Sequence, residues 1–369
     1  MGRGLHNVPR EGLAKGGVSL AFDDGDTPGE GLIYSAGRQG NSMAMLRIYI
    51  CKRLIQSIPL ILFVMAINFL IIHAAPGDPI TYLYGSSAEV SAEQMHSLRE
   101  QLGLTQPLSI QFFLYLRQLL RGDLGFSAIN RKPVLELILE RIPATVVLMS
   151  AAFVFSVVVG GLWGVVSAVK ARTHIDYWVT IVSLFGYSMP TFWLGLILIL
   201  VFSLYLGWFP TMGMVTLGRE LSGLSALMDV LHHLVLPTIT LGAYYLAIYA
   251  RLIRSSMLEV LGQEFITTAW SKGLPGRAVY YKHALQNALL PVITIAGLQI
   301  GFMFTGAVLT ETIFAWPGMG GLTYQAILQR DYALLMGLFL MVSVCVILMN
   351  LITDLVYTVV DPRIRYTPS

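Results

Sequence analysis

The chain has 369 residues, 55% of them hydrophobic and only 12% charged. Soluble domains carry about 25% charged residues, so the composition argues against a soluble globular protein and for an integral membrane one. A formal net charge of +3, with no basic run interleaved with aromatics, gives no reason to expect a nucleic-acid partner, and two widely separated cysteines, Cys51 and Cys345, make neither a disulfide framework nor a zinc site.

Residues 1–45 are poor in large apolar side chains and rich in glycine, with Asp23, Asp24 and Asp26 clustered. This composition predicts a disordered tail. Leu54–Ala75 is the first predicted span: 22 residues with no Asp, Glu, Lys or Arg, too long for the roughly 7–15-residue core of a signal peptide. Its thirteen Leu, Ile, Phe and Val side chains favour insertion by about 4–8 kcal/mol, at about 0.3–0.6 each. Arg47, Lys52 and Arg53 precede it and place the N-terminus in the cytoplasm by the positive-inside rule. Pro76–Arg141 is then an extracytoplasmic segment of mixed charge, with amphipathic helices expected at Ser91–Leu102 and Gln111–Leu120. It is either a packed cap over the first span or a docking surface for a partner.

Ile142–Val169 is the second span and contains Gly160-x-x-x-Gly164, a spacing that implies close helix packing. Ile175–Gly207 is 33 residues long, about 50 Å as one helix against a hydrocarbon core of about 30 Å. Two short spans here would invert everything downstream and put Arg254, Lys272, Arg277 and Lys282 outside. One span, Gly186–Leu206, with an interfacial lead-in and a bend at Pro190, keeps them inside and is preferred. Trp208–His232 is an outside loop, Leu234–Ala250 the fourth span closed by Arg251 and Arg254, Leu289–Phe314 the fifth with Gly297-x-x-x-Gly301, Ala315–Tyr332 an outside return, and Ala333–Val360 the sixth. The fold expected is all-α and polytopic, with six transmembrane helices and both termini cytoplasmic: residues 46–75 the first helix, 76–141 the extracytoplasmic segment, 142–366 a five-helix core.

A polar, basic island, Glu264–Pro291 (EFITTAWSKGLPGRAVYYKHALQNALLP), separates the fourth and fifth spans. A short helix is expected over Glu264–Lys272. Gly273 supplies the left-handed residue after it, and Pro275 opens a second helix. The island resembles the EAA loop of the inner-membrane permeases of binding-protein-dependent ABC importers. The similarity is strongest to the dipeptide/oligopeptide/nickel permeases, whose loop reads E-x-x-x-x-A-x-x-K-G, then R and H-A-x-x-N-A-x-x-P: Glu264, Ala269, Lys272, Gly273, Arg277, His283, Ala284, Asn287, Ala288 and Pro291 match in order. The first two letters of the EAA triplet depart, being Thr267 and Thr268. Pro76-Gly77-Asp78-Pro79, Gly122-Asp123-Leu124-Gly125 and Glu311-Thr312-Ile313-Phe314-x-Trp316-Pro317-Gly318 recur in the same subgroup. The likeness covers about Leu46–Tyr366. Because Met45-Leu46-Arg47 begins as such permeases begin, residues 1–45 are alternatively a mis-chosen start.

The resemblance implies a type I ABC importer permease with the coupling loop at 258–291, moving peptides, or alternatively nickel chelates or other small solutes, across a bacterial inner membrane. It further implies a second homologous permease subunit, two cytoplasmic ATPase subunits and a periplasmic solute-binding protein. In the roles it suggests, Ala269 is small so that an ATPase can approach, and Gly273 permits the turn. Lys272, Arg277 and Lys282 offer charge to the ATPase or to lipid headgroups. Glu264 caps or pairs within the loop, and His283 and Asn287 lock it onto the base of the fifth span. The dipeptide Gly-Lys never occurs, so no P-loop is present, and His-Glu-x-x-His, Gly-x-Ser-x-Gly and Cys-x-x-Cys are missing too. No catalytic, cofactor or metal site is therefore expected. His232 and His233, adjacent in sequence, make a poor metal pair. The spans hold few ionisable groups: His73, Glu311 and Asp354 lie near span ends and are read as structural, and Asn68, Gln299 and Asn350 as packing contacts. A secondary transporter driven by an ion gradient is the alternative from another class.

Overall fold

In the computed structural model, the described residues are 30–74, 92–101, 103–219 and 221–360. The chain divides into two compact units, residues 1–52 and 53–369. Of the first unit, residues 30–52 are described and are helical, belonging to helix α1 (Glu30–Ala74). Residues 30–45 thus form helix where an unstructured tail is expected, and the rest of that tail lies outside the described residues, as do the Pro76–Pro79 turn and Asp361–Arg363.

The second unit is almost wholly helical. After α1 come α2 (Ala92–Gln101) and α3 (Leu108–Leu119), close to the two amphipathic helices expected. A small antiparallel hairpin follows, β1 (Phe126–Ser127) against β2 (Lys132–Pro133), a minor departure from an all-α chain. Lys132 Nζ lies 2.7 Å from Glu140 and 3.1 Å from Glu136, and these two carboxylates raise the lysine above its ordinary range. The second expected span is α4 (Val134–Val169). Its 36 residues rise about 54 Å, so it starts well before Ile142 and overruns a bilayer core.

The apolar block at 175–207 is broken as expected. α5 (His174–Ser188) and α6 (Thr191–Leu198, continued by a π-helical turn Ile199–Tyr205) meet at 107°. Pro190 causes the break: it has no N–H to donate, and it pushes the residue before it out of the helical region. Met189 accordingly sits at φ −76°, ψ 135°. α7 (Leu224–Leu261) has 38 residues and corrects the expected boundaries, because the last nine residues of the expected outside loop, 224–232, with Asp229 among them, are already helix. The island gives α8 (Glu264–Ser271), α9 (Gly276–Ala278) and α10 (Leu285–Ala288), the last two joined by a π-helical turn Val279–Ala284. α11 (Leu290–Ile313), α12 (Met319–Gln329) and α13 (Tyr332–Val360) complete the chain.

Among the described residues, four helices are long and apolar enough to cross a membrane, five if the bent pair α5–α6 is one span. The 24-residue α11 occupies the place of the fifth expected span.

The principal core lies between α4 and α7. A Cβ added at Gly160 would stand 2.6 Å from the Leu246 carbonyl, and one at Gly164 2.6 Å from the Ala250 carbonyl. The two glycines thus let one helix backbone press on the other, which is the close packing their spacing implies. Leu148, Ala152, Tyr249, Ile253 and Met257 fill the same seam. A second cluster (Val134, Ile138, Met319, Leu334, Leu338) packs the start of α4 against α12 and α13, and a third (Leu198, Leu236, Phe314) seats the bent span.

Candidate functional site: an elbow below α7 and two buried carboxylates

α8 ends in a Schellman turn. The Gly273 N–H donates to the Trp270 carbonyl at 2.9 Å and the Leu274 N–H to the Ala269 carbonyl at 3.4 Å, so two carbonyls at the helix end are satisfied. Gly273 takes φ +74° with no atom within 4 Å of an added Cβ. Its glycine is required by backbone conformation and not by crowding. The second arm folds back so that Trp270 meets Tyr280 edge-on at 5.9 Å, and Gly276 leaves 3.2 Å for the tip of the indole. Ile266, Ala269, Val279, Ala284 and Ala288 form the buried face of this elbow and join the core that holds Met257 and Val260 of α7. The elbow is therefore a rigid extension of α7.

Its residues divide accordingly. Glu264, Lys272 and Arg277 are exposed, with Phe265, Lys282 and Asn287. Ala269 is buried, 6% exposed, and its carbonyl receives the Leu274 N–H at the turn, so within the chain its small size fits the packing of the elbow. The Glu264 carboxylate makes no hydrogen bond or ion pair among the described residues; it lies in the first turn of α8, where a negative charge suits the helix dipole. Asn287 Nδ2 donates to the His283 carbonyl at 2.8 Å, a bond within the second arm where a tie to the fifth span is expected. Trp270 was not singled out by sequence, although an aromatic one turn from the glycine break is the available signal.

Two carboxylates outside the elbow fix α4 at two levels. At its C-terminal end, Asp176 of α5 accepts from Arg254 of α7, Nε to Oδ1 at 2.7 Å and Nη2 to Oδ2 at 2.9 Å. The Arg172 N–H donates to Oδ2 at 2.9 Å, and the Ser167 hydroxyl donates to Oδ1. Asp176 is buried, and Arg254 is about one-third exposed. A fork-on-carboxylate pair of this kind is the strongest geometry an arginine offers, and it clamps α4, α5 and α7 together. In sequence, Arg254 is visible only as a topology marker, and Asp176 is a lone acid at the start of an apolar block with no local sign of its partner.

Toward the N-terminal half of the same helix, Glu311 of α11 is fully buried. Thr145 Oγ1 donates to Oε1 at 2.7 Å and the Gly321 N–H to Oε2 at 3.0 Å. The Met319 N–H in turn donates to Thr145 at 2.8 Å, and the Trp316 indole N–H to the Ala144 carbonyl at 2.8 Å. A Cβ on Gly318 would collide with the carboxylate. Glu311 thus has the structural role expected of it: it receives a neighbouring backbone and pins the 314–321 return onto α4. Asp331 does similar work, accepting from the Leu334 N–H at 3.2 Å as a cap on α13 and from the Ser127 hydroxyl. His73 stacks on Phe69 at 4.0 Å and approaches Tyr332 at 5.5 Å.

Long apolar helices, one broken at a proline, and a polar elbow fixed to the end of a spanning helix define a polytopic membrane protein of the transport-permease class. Residues 160–366 match the family described as binding-protein-dependent transport system inner membrane component, and residues 45–149 match its N-terminal companion. The oligopeptide transport system permease protein AppB of Bacillus subtilis (strain 168) is 41% identical over 319 residues, 86% of this chain and 99% of that protein. The dipeptide transport system permease protein DppB of Escherichia coli (strain K12) is 40% identical over 335 residues, 86% of this chain and 98% of that one. Among solved structures, the inward-facing MetNI methionine ABC transporter shares the fold, with a TM-score of 0.50 and 16% identity over 62% of this chain and 97% of that one. The chain belongs to the binding-protein-dependent transport permeases and is a multi-pass inner-membrane protein.

Proposed function

We propose that the chain is one permease half of an ATP-driven importer of di- or oligopeptides, working with a second homologous permease, two ATPase subunits and a periplasmic solute-binding protein. Six spans with both termini in the cytoplasm complete the scheme, α11 being the fifth. The sequence carries no P-loop, and in this scheme the power stroke enters from a separate ATPase. The observation that carries this reading is the elbow. A two-armed polar extension, buried on one face against α7 and open on the other at Glu264, Phe265, Lys272, Arg277 and Lys282, suits a lever that a cytoplasmic ATPase pushes. Ala269 and Gly273 shape the lever, while His283 and Asn287 stiffen its second arm. Closure of the ATPases would tilt α7, and the Arg254–Asp176 clamp and the glycine seam would carry that tilt to α5 and α4, giving alternating access.

The names of the relatives support peptides as cargo; nickel chelates or other small solutes are the outcomes to compare. The test is uptake into proteoliposomes holding the whole complex. ATP should drive dipeptide uptake and an ion gradient alone should not. Uptake on the gradient without nucleotide would overturn the scheme in favour of a secondary transporter. A reporter fused after Tyr366 should read cytoplasmic.

A further inference from the structure

The two arginines at the cytoplasmic end of the fourth expected span, within α7, are held in opposite ways. Arg254 is satisfied by a forked bond to Asp176. Arg251, one turn earlier, pairs with no acid among the described residues. Its Nε donates to the Ala247 carbonyl at 3.3 Å, and its guanidinium lies over the Tyr187 ring, 4.6 Å from the centroid. Tyr187 belongs to the last turn of α5 before the proline break and stacks on Tyr244 of α7, 4.9 Å between centroids and 18° between planes. The arginine therefore turns toward the middle of α7, onto an aromatic shelf, and does not run out toward the helix end.

These groups sit on an uncovered stripe. Tyr244, Arg251, Ser255 and Glu259 are exposed and Ile248 half-buried, at spacings of three and four that keep them on one face. The opposite face carries the buried Tyr245, Tyr249, Ile253 and Met257. A guanidinium turned back into the span and a tyrosine pair make poor lipid-facing groups, because charge in a span faces a bundle interior or a water-filled cavity. The terminal guanidinium nitrogens, rigid paired donors suited to a carboxylate, are left open beside it.

We infer that Arg251, seated on Tyr187 and flanked by Tyr244, is a carboxylate-binding station on the wall of the translocation path, and that it takes the terminal carboxylate of a peptide cargo. The inference rests on the peptide-import reading and adds to it a site and a recognised group. Glu259, two turns further on, and the neutralised Asp176–Arg254 pair are the other charges facing this stretch.

The experiment uses the full complex with Ser255→Cys, one turn below Arg251, in a Cys51→Ser/Cys345→Ser background. Thiol labelling is followed with an anionic sulfonate reagent and with a cationic trimethylammonium reagent. Labelling should occur, severalfold faster with the anionic reagent. Arg251→Gln should abolish that preference and Arg251→Lys should keep it. Dialanine at high concentration should slow labelling, and dialanine amide should not. No labelling by either reagent would mean that lipid or a partner subunit covers the face, and would overturn the inference. So would a preference unchanged in Arg251→Gln, equal protection by acid and amide, or protection by anionic phospholipid vesicles with none by dialanine, which would assign the site to a headgroup phosphate. The cargo reading fails separately, if the unmodified complex takes up no peptide with ATP, and the reagent preference does not depend on that result.

Discussion

Replacing Gly164 with alanine puts one methyl group into the α4–α7 seam. It would stand 2.6 Å from the Ala250 carbonyl oxygen and 2.9 Å from Ile253 Cβ. Ordinary contact begins at 3.4 Å, so the helices must part by about 0.8 Å, and neither obstacle is a flexible side-chain end. Overpacking of this kind costs about 1–3 kcal/mol. The adjacent position supplies the control. A Cβ at Gly161 meets only Ile253 Cδ1, at 3.3 Å, and that methyl can swing aside. Both substitutions remove a helix-interior glycine and gain the same propensity, about 1 kcal/mol, so their difference isolates the seam. Unfolding of the purified complex in mild detergent should find Gly164→Ala less stable than Gly161→Ala by about 1–3 kcal/mol. ATP-driven uptake should fall with Gly164→Ala and hold with Gly161→Ala. Equal stability of the two variants would refute the argument that α4 and α7 touch backbone to backbone.

Three further outcomes follow from single contacts. Arg254→Ala should lower stability in the same assay by about 2 kcal/mol, the worth of hydrogen bonds to a charged group, because the Ser167 hydroxyl and Arg172 N–H still serve Asp176. The exchange Asp176→Arg/Arg254→Asp should not rescue it, since those two donors would then face a cation; full rescue would contradict the assigned geometry. Gly273→Val should lose uptake while ATP hydrolysis continues, the left-handed conformation costing a β-branched residue roughly 1–2 kcal/mol, and Gly273→Asn, which tolerates that conformation, should retain coupling. Equal loss in both variants would point to contact with a partner and not to backbone conformation. Thr145→Val should destabilise by about 1–3 kcal/mol by removing the donor to Glu311 Oε1 and the acceptor of the Met319 N–H, whereas Thr145→Ser should be close to wild type.

What could be read from sequence was whatever periodicity and backbone chemistry alone decide. The Gly160–Gly164 contact, the break at Pro190 and the turn at Gly273 each follow from one residue's local physics. Less legible was anything set by contact across the fold. α7 begins ten residues early because Asp229 accepts both the Thr216 N–H at 2.7 Å and its hydroxyl at 2.6 Å, which holds the preceding loop to a helix whose polar start had suggested a loop. The Asp176–Arg254 clamp joins residues 78 apart in sequence, and nothing local marks it. Ala269 fits the family pattern of a small residue, yet which way it faces depends on where the second arm of the elbow folds.

Two levels of α4, one about a third of the way along and one at its C-terminal end, are fastened by the same chemical device, and this bears on what can move. At each level a hydroxyl on α4, Thr145 or Ser167, donates to a buried carboxylate on another helix, Glu311 or Asp176, and between them the glycines hold α7 in backbone contact. Parting α4 from α7 would break the seam and strand buried polar groups at once, so the pair is built to travel as one body. Rearrangement is easier where the helical ladder is already interrupted: at the Met189–Pro190 break and in the π-turn Ile199–Tyr205, since π-bulges mark places where helical hydrogen bonding has alternatives. The first of these lies three residues beyond Tyr187, so a change in the bend would shift the aromatic shelf under Arg251. An open shelf in one state and a displaced one in the other would let a carboxylate be held and then released.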